Sequence, residues 1–141
     1  MAVLMFEVPG RPQGKGRPRA YTSGGHTRMY TPDKTVTYEN WIRLCYQRAY
    51  PRVKLAAPLE VGVDMYFAVP KSYTKARAAK CLAHETRPTC KPDGDNVLKA
   101  VCDALNGIAY ADDKEVTDTY THKRYGAPER LVVFLKGERS E

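Results

Sequence analysis

The sequence predicts an α+β domain in two layers, a mixed β-sheet with its helices packed on one face. Three observations carry this. Residues 59–69 alternate along a strand, with Leu59, Val61, Val63, Met65, Phe67 and Val69 on one side and mostly polar or small residues on the other. Residues 34–50 and 95–106 instead repeat apolar side chains at helical spacing. The element order then reads β-α-β-α-α-β-β, which suits one sheet covered by helices.

Taken in order, Val3–Val8 is a first strand. Pro9–Gly25 reads as a loop, punctuated by Pro9, Gly10, Pro12, Gly14, Gly16, Pro18, Gly24 and Gly25. Lys34–Tyr50 is a helix with Tyr38, Trp41, Ile42, Cys45 and Ala49 on one face, and Pro51 ends it. The strand Leu59–Val69 is stopped by Pro70. Thr74–Ala83 is a short basic helix, and His84–Pro92 is a linker bounded by Pro88 and Pro92. Asp95–Asn106 is a helix burying Val97, Leu98, Val101, Cys102 and Leu105, with Asn106-Gly107 as its stop. Glu115–Tyr125 and Arg130–Lys136 are two strands whose short link, Gly126–Glu129, reads most simply as a hairpin turn.

At 141 residues the chain is expected to form a single domain, 1–141, large enough to build a core without disulfides. Its 43% hydrophobic and 28% charged residues fit a globular protein. No apolar run approaches the roughly 20 residues of a membrane span. Met1–Phe6 resembles no secretory leader, so the cytoplasm is the expected location, with Cys45, Cys81, Cys90 and Cys102 as reduced thiols.

The net charge of +7 is uneven. Residues 1–54 hold ten Lys/Arg against three Asp/Glu, whereas residues 91–141 hold eight against ten. A basic front suggests a polyanionic partner, nucleic acid first. Yet seven acids fall between Asp93 and Asp118. Acids in a polyanion-binding protein need a purpose, and holding a metal ion against phosphate is one.

Asp93-Gly94-Asp95 stands just before a helix, where Asp95 can act as N-cap and Asp93 occupies the turn ahead. Lys99 and Asp103 follow at four-residue intervals on the same face. Asp112-Asp113 comes after the helix and reaches Asp93 only if the intervening loop folds back. Mg²⁺ takes hard oxygen ligands, so two or three carboxylates make a site. Ordinary helix capping and a surface turn explain the same residues without any metal. An EF-hand is excluded, because Leu98 stands where its glycine is required.

Residues 10–30 read as one basic, Gly/Pro-rich arm in which Arg11, Lys15, Arg17 and Arg19 contact DNA phosphates, with Tyr21 and Tyr30 near enough to stack. A P-loop fails on spacing and because Gly16 replaces the metal-binding Ser/Thr. The run Cys81-x2-His84-x5-Cys90 matches no standard zinc spacing, and core or linker thiols are the simpler reading. His122 alternates with Tyr120 and Arg124 and reads as a surface residue.

The segment Lys91-Pro-Asp-Gly-Asp-Asn-Val-Leu-Lys99, then Asp103-Ala-Leu-Asn-Gly, then Asp112-Asp113, resembles the signature of the RusA family of Holliday junction resolvases. So does the opening, Val8-Pro-Gly-Arg-Pro-Gln-Gly-Lys-Gly-Arg-Pro-Arg19 with Tyr30-Thr-Pro32. The resemblance spans nearly the whole chain. It implies a RusA-like fold and a homodimeric, Mg²⁺-dependent endonuclease (Mn²⁺ substituting) that nicks a four-way DNA junction symmetrically in recombination and repair. Carried over by residue, it implies Asp93, Asp95 and Asp113 as metal-binding catalytic acids, Asp112 as a weaker ligand, and Lys99 as the catalytic lysine. Asp103 is expected to pair with a Lys or Arg. Gly94 departs from the apolar residue common there, which is expected to loosen the turn, and Cys90 replaces a commonly basic or polar residue. Two other readings stay open: a non-catalytic DNA-binding module, and a nuclease acting on flaps or forks.

Overall fold

The computed structural model describes residues 1–16 and 18–140. Ten elements follow in order: β1 Ala2–Pro9, β2 Arg19–Ser23, β3 His26–Tyr30, α1 Asp33–Ala49, β4 Lys54–Phe67, α2 Lys75–Leu82, α3 Gly94–Leu105, a 3-10 turn at Asp113–Glu115, β5 Val116–Tyr125 and β6 Arg130–Ser140. Strands β1-β6-β4-β5 form one mixed sheet, antiparallel except for the parallel pair β4 and β5. The α+β class with a mixed sheet is therefore as expected.

The strand alternation sets the layers. Leu4, Phe6 and Val8 of β1 are buried beside Leu131, Val133 and Leu135 of β6, and Leu59, Val61, Val63, Met65 and Phe67 complete the floor from β4. Helices α1 and α3 lie on this floor and against each other. In α3 the buried set is Val97, Ala100, Val101, Ala104 and Leu105. Burying each large apolar side chain contributes roughly 1.5–3 kcal/mol, so this shared interior is what holds the helices to the sheet. In α1 the buried stripe is Thr35, Tyr38, Glu39, Ile42 and Tyr46, while Ala49 is exposed, contrary to the expected face. Tyr46 joins the core because its hydroxyl finds the Val53 carbonyl at 2.6 Å.

Two expectations about strands are corrected. Strands β5 and β6 form no hairpin: β4 lies between them, and the Gly126–Glu129 link crosses its end. The Gly126 amide bonds the Phe67 carbonyl and the Ala68 amide bonds Glu129 Oε2, so the crossing is fastened to the strand it passes. Part of the expected 9–25 loop is the antiparallel hairpin of β2 and β3, turning at Gly24-Gly25. All ten of its strand residues are exposed, with Tyr21 and Tyr30 edge to face. Strand β4 also begins five residues earlier than Leu59. Its pairing with β6 breaks between Ala56 and Glu60, around Pro58, which has no amide hydrogen to give.

Among the described residues no helix is long and apolar enough to cross a membrane. The four cysteines are free thiols, Cys81 in the core and Cys90 exposed.

Candidate active site

The flank of α3 collects the chemistry. Asp93, rather than Asp95, takes the N-cap position, but its side chain makes no capping bond. Asp95 lies in the first turn, and both residues are exposed. Simple capping therefore does not account for Asp93. Its carboxylate remains available to a ligand at the positive end of the helix dipole.

The segment ahead of Asp93 is held from below. Lys123 on β5 donates from Nζ to the carbonyls of Cys90 and Pro92, the latter at 3.0 Å. Gly94 packs α3 onto β5: a Cβ there would stand 3.2 Å from Thr121 Oγ1. Rather than loosening the turn, the missing side chain lets the helix approach the strand closely.

One and two turns further on, Lys99 and Asp103 follow. Their charged groups are 3.8 Å apart, and the Lys99 side chain is largely exposed. The loop after α3 does fold back. The Tyr110 hydroxyl donates to the Cys102 carbonyl at 2.7 Å, and the Leu55 amide donates to the Ala109 carbonyl. This returns Asp112 and Asp113 to the second half of α3. Partial desolvation raises the Asp113 pKa, the Asp112 carboxyl and the charges of Asp103 and Asp112 add to it, and Lys99 opposes. Asp112 is held the other way, chiefly by the Lys114 amide that bonds its Oδ1 at 3.0 Å. Asp112 thus caps the 3-10 turn, while Asp113 faces the charges of α3.

The order along the helix is Asp93 and Asp95, then Lys99, then Asp113 beside Asp103. Asp93 and Asp103 are ten residues apart, roughly 15 Å of helix rise. Among the described residues no three His, Cys, Asp or Glu side chains stand together as a ready metal cage. Nor, among those residues, do Asp93, Asp95 or Asp113 take an ion-pair partner. On the same flank, burial pushes the Cys102 thiol up to about 11, with Asp113 and Asp103 adding to this and Tyr110 and Lys99 opposing it.

The basic arm divides into parts with different roles. Lys15 points inward, bonding Asp103 at 2.5 Å and Glu39 at 3.2 Å, and its backbone amide bonds the Asn96 carbonyl. Asp103 thus has the expected cationic partner, and Lys15 is a clamp between α1 and α3 rather than part of a mobile arm. Arg11 pairs with Glu129 at 2.8 Å and lies over the Phe67 ring, half-exposed. Arg19 is exposed on β2. Arg17 lies outside the described residues. Sequence reasoning missed Arg28, exposed on β3 across from Tyr21, because the hairpin itself was missed.

The chain matches the family described as Endodeoxyribonuclease RusA over residues 9–136. The chain belongs to the RusA endodeoxyribonuclease family. A relative from Bacillus subtilis (strain 168), the uncharacterized protein YqaN, is 33% identical over 138 residues, covering 96% of this chain and 97% of its own. Membership indicates an endodeoxyribonuclease. The α3 flank, Lys91 to Asp113, lies within the matched residues.

Proposed function

We propose that this RusA-family protein is a Mg²⁺-dependent endonuclease that resolves four-way DNA junctions by paired, symmetric nicks, and that it acts as a homodimer. The observation that carries the reading is Asp93: a carboxylate at a helix N-terminus, free of any capping bond, two residues from Asp95 and six from Lys99.

The donor set fits the ion. Mg²⁺ is commonly held by one or two carboxylates, with substrate phosphate and water completing its shell, so a closed protein cage is not required. Asp93 and Asp95 would hold one ion, and Asp113, further along α3 with Asp112 as the weaker ligand, would hold a second; Mn²⁺ should substitute. When bound, such an ion stabilises the attacking and leaving oxygens of a phosphodiester displacement. Lys99 brings an exposed ammonium to the developing phosphate charge. Lys123 fixes the segment that carries Asp93, and Gly94 lets it lie close to Thr121. Arg19 and Arg28 on the exposed hairpin contact backbone phosphates, and a two-stranded ribbon of this width fits a DNA major groove. A twofold dimer matches the symmetry of the junction and presents one site to each of two like strands.

A substrate panel tests the reading. Four-way junction, flap, fork and linear duplex of shared sequence are incubated with the protein and Mg²⁺, Mn²⁺ or EDTA. Paired symmetric nicks in the junction, abolished by EDTA, are expected. Equal cutting of flaps or forks would move the substrate assignment, and junction binding without cleavage would leave a DNA-binding module.

A further inference from the structure

We propose that the cleft beside Lys91-Pro92 receives one unstacked nucleotide of the bound DNA strand, so that the enzyme recognises branching by capturing a base. The inference rests on reading α3 as the nuclease edge, and it adds a site that reading does not contain.

The cleft measures about 840 Å³ and lies between residues 11–14, the start of α1 and Lys91-Pro92, so its wall ends one residue before Asp93. A largely apolar cleft of this size with a few polar groups is the make-up of an organic-ligand site rather than an ion site. Trp41 lines it, and its ring is fixed by donating from Nε1 to the Pro9 carbonyl at 2.8 Å. A held indole is a stacking surface for a base. Arg11, Lys34 and Lys91 stand around the cleft with Asp33 as the acid among its lining residues, a balance suited to phosphate.

An independent observation points to an occupant. Tyr38 also lines the cleft, is only 4% exposed, and among the described residues its hydroxyl has no hydrogen-bond partner. The Gln13 backbone amide acts on this oxygen, but it closes no bond of normal geometry. Burial raises the phenol pKa, so the group stays a donor at neutral pH. A buried donor without an acceptor is costly, and a base carbonyl or ring nitrogen would satisfy it. A lone anion would leave the indole unused, and an apolar peptide would leave Lys34 and Lys91 unused, Arg11 being already paired with Glu129. A nucleotide uses both.

Taking a base out of a duplex costs its stacking and pairing, and the cost is least where the base is already unpaired. In an open four-way junction the pairs at the crossover have lost a stacking neighbour, so a base there leaves at lower cost than one inside a linear duplex.

Trp41 is the chain's single tryptophan, which makes it the reporter. The full-length protein in EDTA is titrated with a four-way junction, with the same junction made abasic at its crossover positions, with linear duplex and with thymidine monophosphate. Binding is followed separately by anisotropy of a labelled strand. Quenching of Trp41 by the intact junction is expected, with the duplex and the abasic junction leaving it unchanged. Tyr38→Phe should weaken intact-junction binding about tenfold, leave abasic-junction binding unaltered and leave thermal stability equal or higher. Saturating junction binding with no change in Trp41 emission overturns the proposal. So does quenching by the free nucleotide at an affinity matching the junction, which would make the cleft a nucleotide-effector site. Mg²⁺ is then added to the junction complex. Cleavage after a titration that left Trp41 silent removes the cleft's role and leaves the nuclease standing, whereas quenching in EDTA followed by no cleavage in Mg²⁺ supports the cleft and counts against the nuclease.

Discussion

The Lys15 ammonium lies 2.5 Å from the Asp103 carboxylate, joining the N-terminal loop to the charged flank of α3. The same ammonium holds Glu39 of α1 at 3.2 Å, so one cation fastens three segments in a partly buried place. Asp103 is thereby occupied, which separates it from Asp93, Asp95 and Asp113 despite its place in the same motif.

Lys15→Met should therefore act on stability. It leaves two shielded carboxylates without their cation, and the expected loss is about 2 kcal/mol in denaturant unfolding, in the range for bonds to charged groups. The salt dependence of DNA binding should change little, whereas a phosphate contact would lower its slope by about one.

The clamp also has a pH signature. Burial lowers the Lys15 pKa, but the bonds and charges of Asp103 and Glu39 outweigh it, so the net shift is upward from 10.5. A raised folded pKa means the contribution is whole below the unfolded value and is lost as pH rises through the folded one. The Tm gap between wild type and Lys15→Met is expected to stay constant near neutral pH and to narrow above about pH 10.5. A gap that widens there would contradict the clamp.

On the face of the sheet away from the helices, Gly62 makes room for Tyr120. A Cβ at position 62 would stand 1.9 Å from the Tyr120 ring, which lies between His122 and Phe134. Gly62→Ala should cost about 1–3 kcal/mol by overpacking. Tyr120→Ala in the same chain should recover most of the added cost, a coupling that a double-mutant unfolding cycle measures.

The hairpin should behave oppositely to Lys15. Arg19→Ala and Arg28→Ala are expected to leave Tm unchanged, because both side chains are exposed and the hairpin packs no core. Each should weaken junction binding and reduce the slope of log affinity against log salt by about one. Unchanged salt slopes would remove the hairpin from the DNA interface.

Much of this was legible in the sequence because one period governs each element. The alternation of 59–69 and the helical repeat of 95–106 each have one face to bury; the helix is found within one residue of its expected bounds, and the strand is found but runs Lys54–Phe67, earlier at both ends. Strand order was less legible. A four-residue link reaches roughly 13 Å, enough to cross one intervening strand at roughly 4.8 Å spacing, so the short turn after Tyr125 does not choose between neighbour and next-neighbour. The β2–β3 hairpin escaped because it buries neither face and so shows no apolar alternation; Gly24-Gly25 between Tyr/Thr-bearing segments was the signal available. At the site, the motif named the carboxylates. It did not reveal that Asp93 is free while Asp112 caps a turn, or that Lys15 serves Asp103, since those assignments depend on contacts between distant segments.

Asp93 and Asp95 carry the proposed chemistry, and Asp95→Asn measured beside wild type tests it most directly. Junction cleavage under Mg²⁺ and junction affinity in EDTA are recorded for both proteins, with unfolding curves to show that both are folded. Cleavage should fall at least a hundredfold, as for loss of one group that stabilises the transition state. Affinity should hold or rise, because a negative charge near phosphate is removed. A folded Asp95→Asn protein that still cuts the junction at the wild-type rate would contradict the central claim.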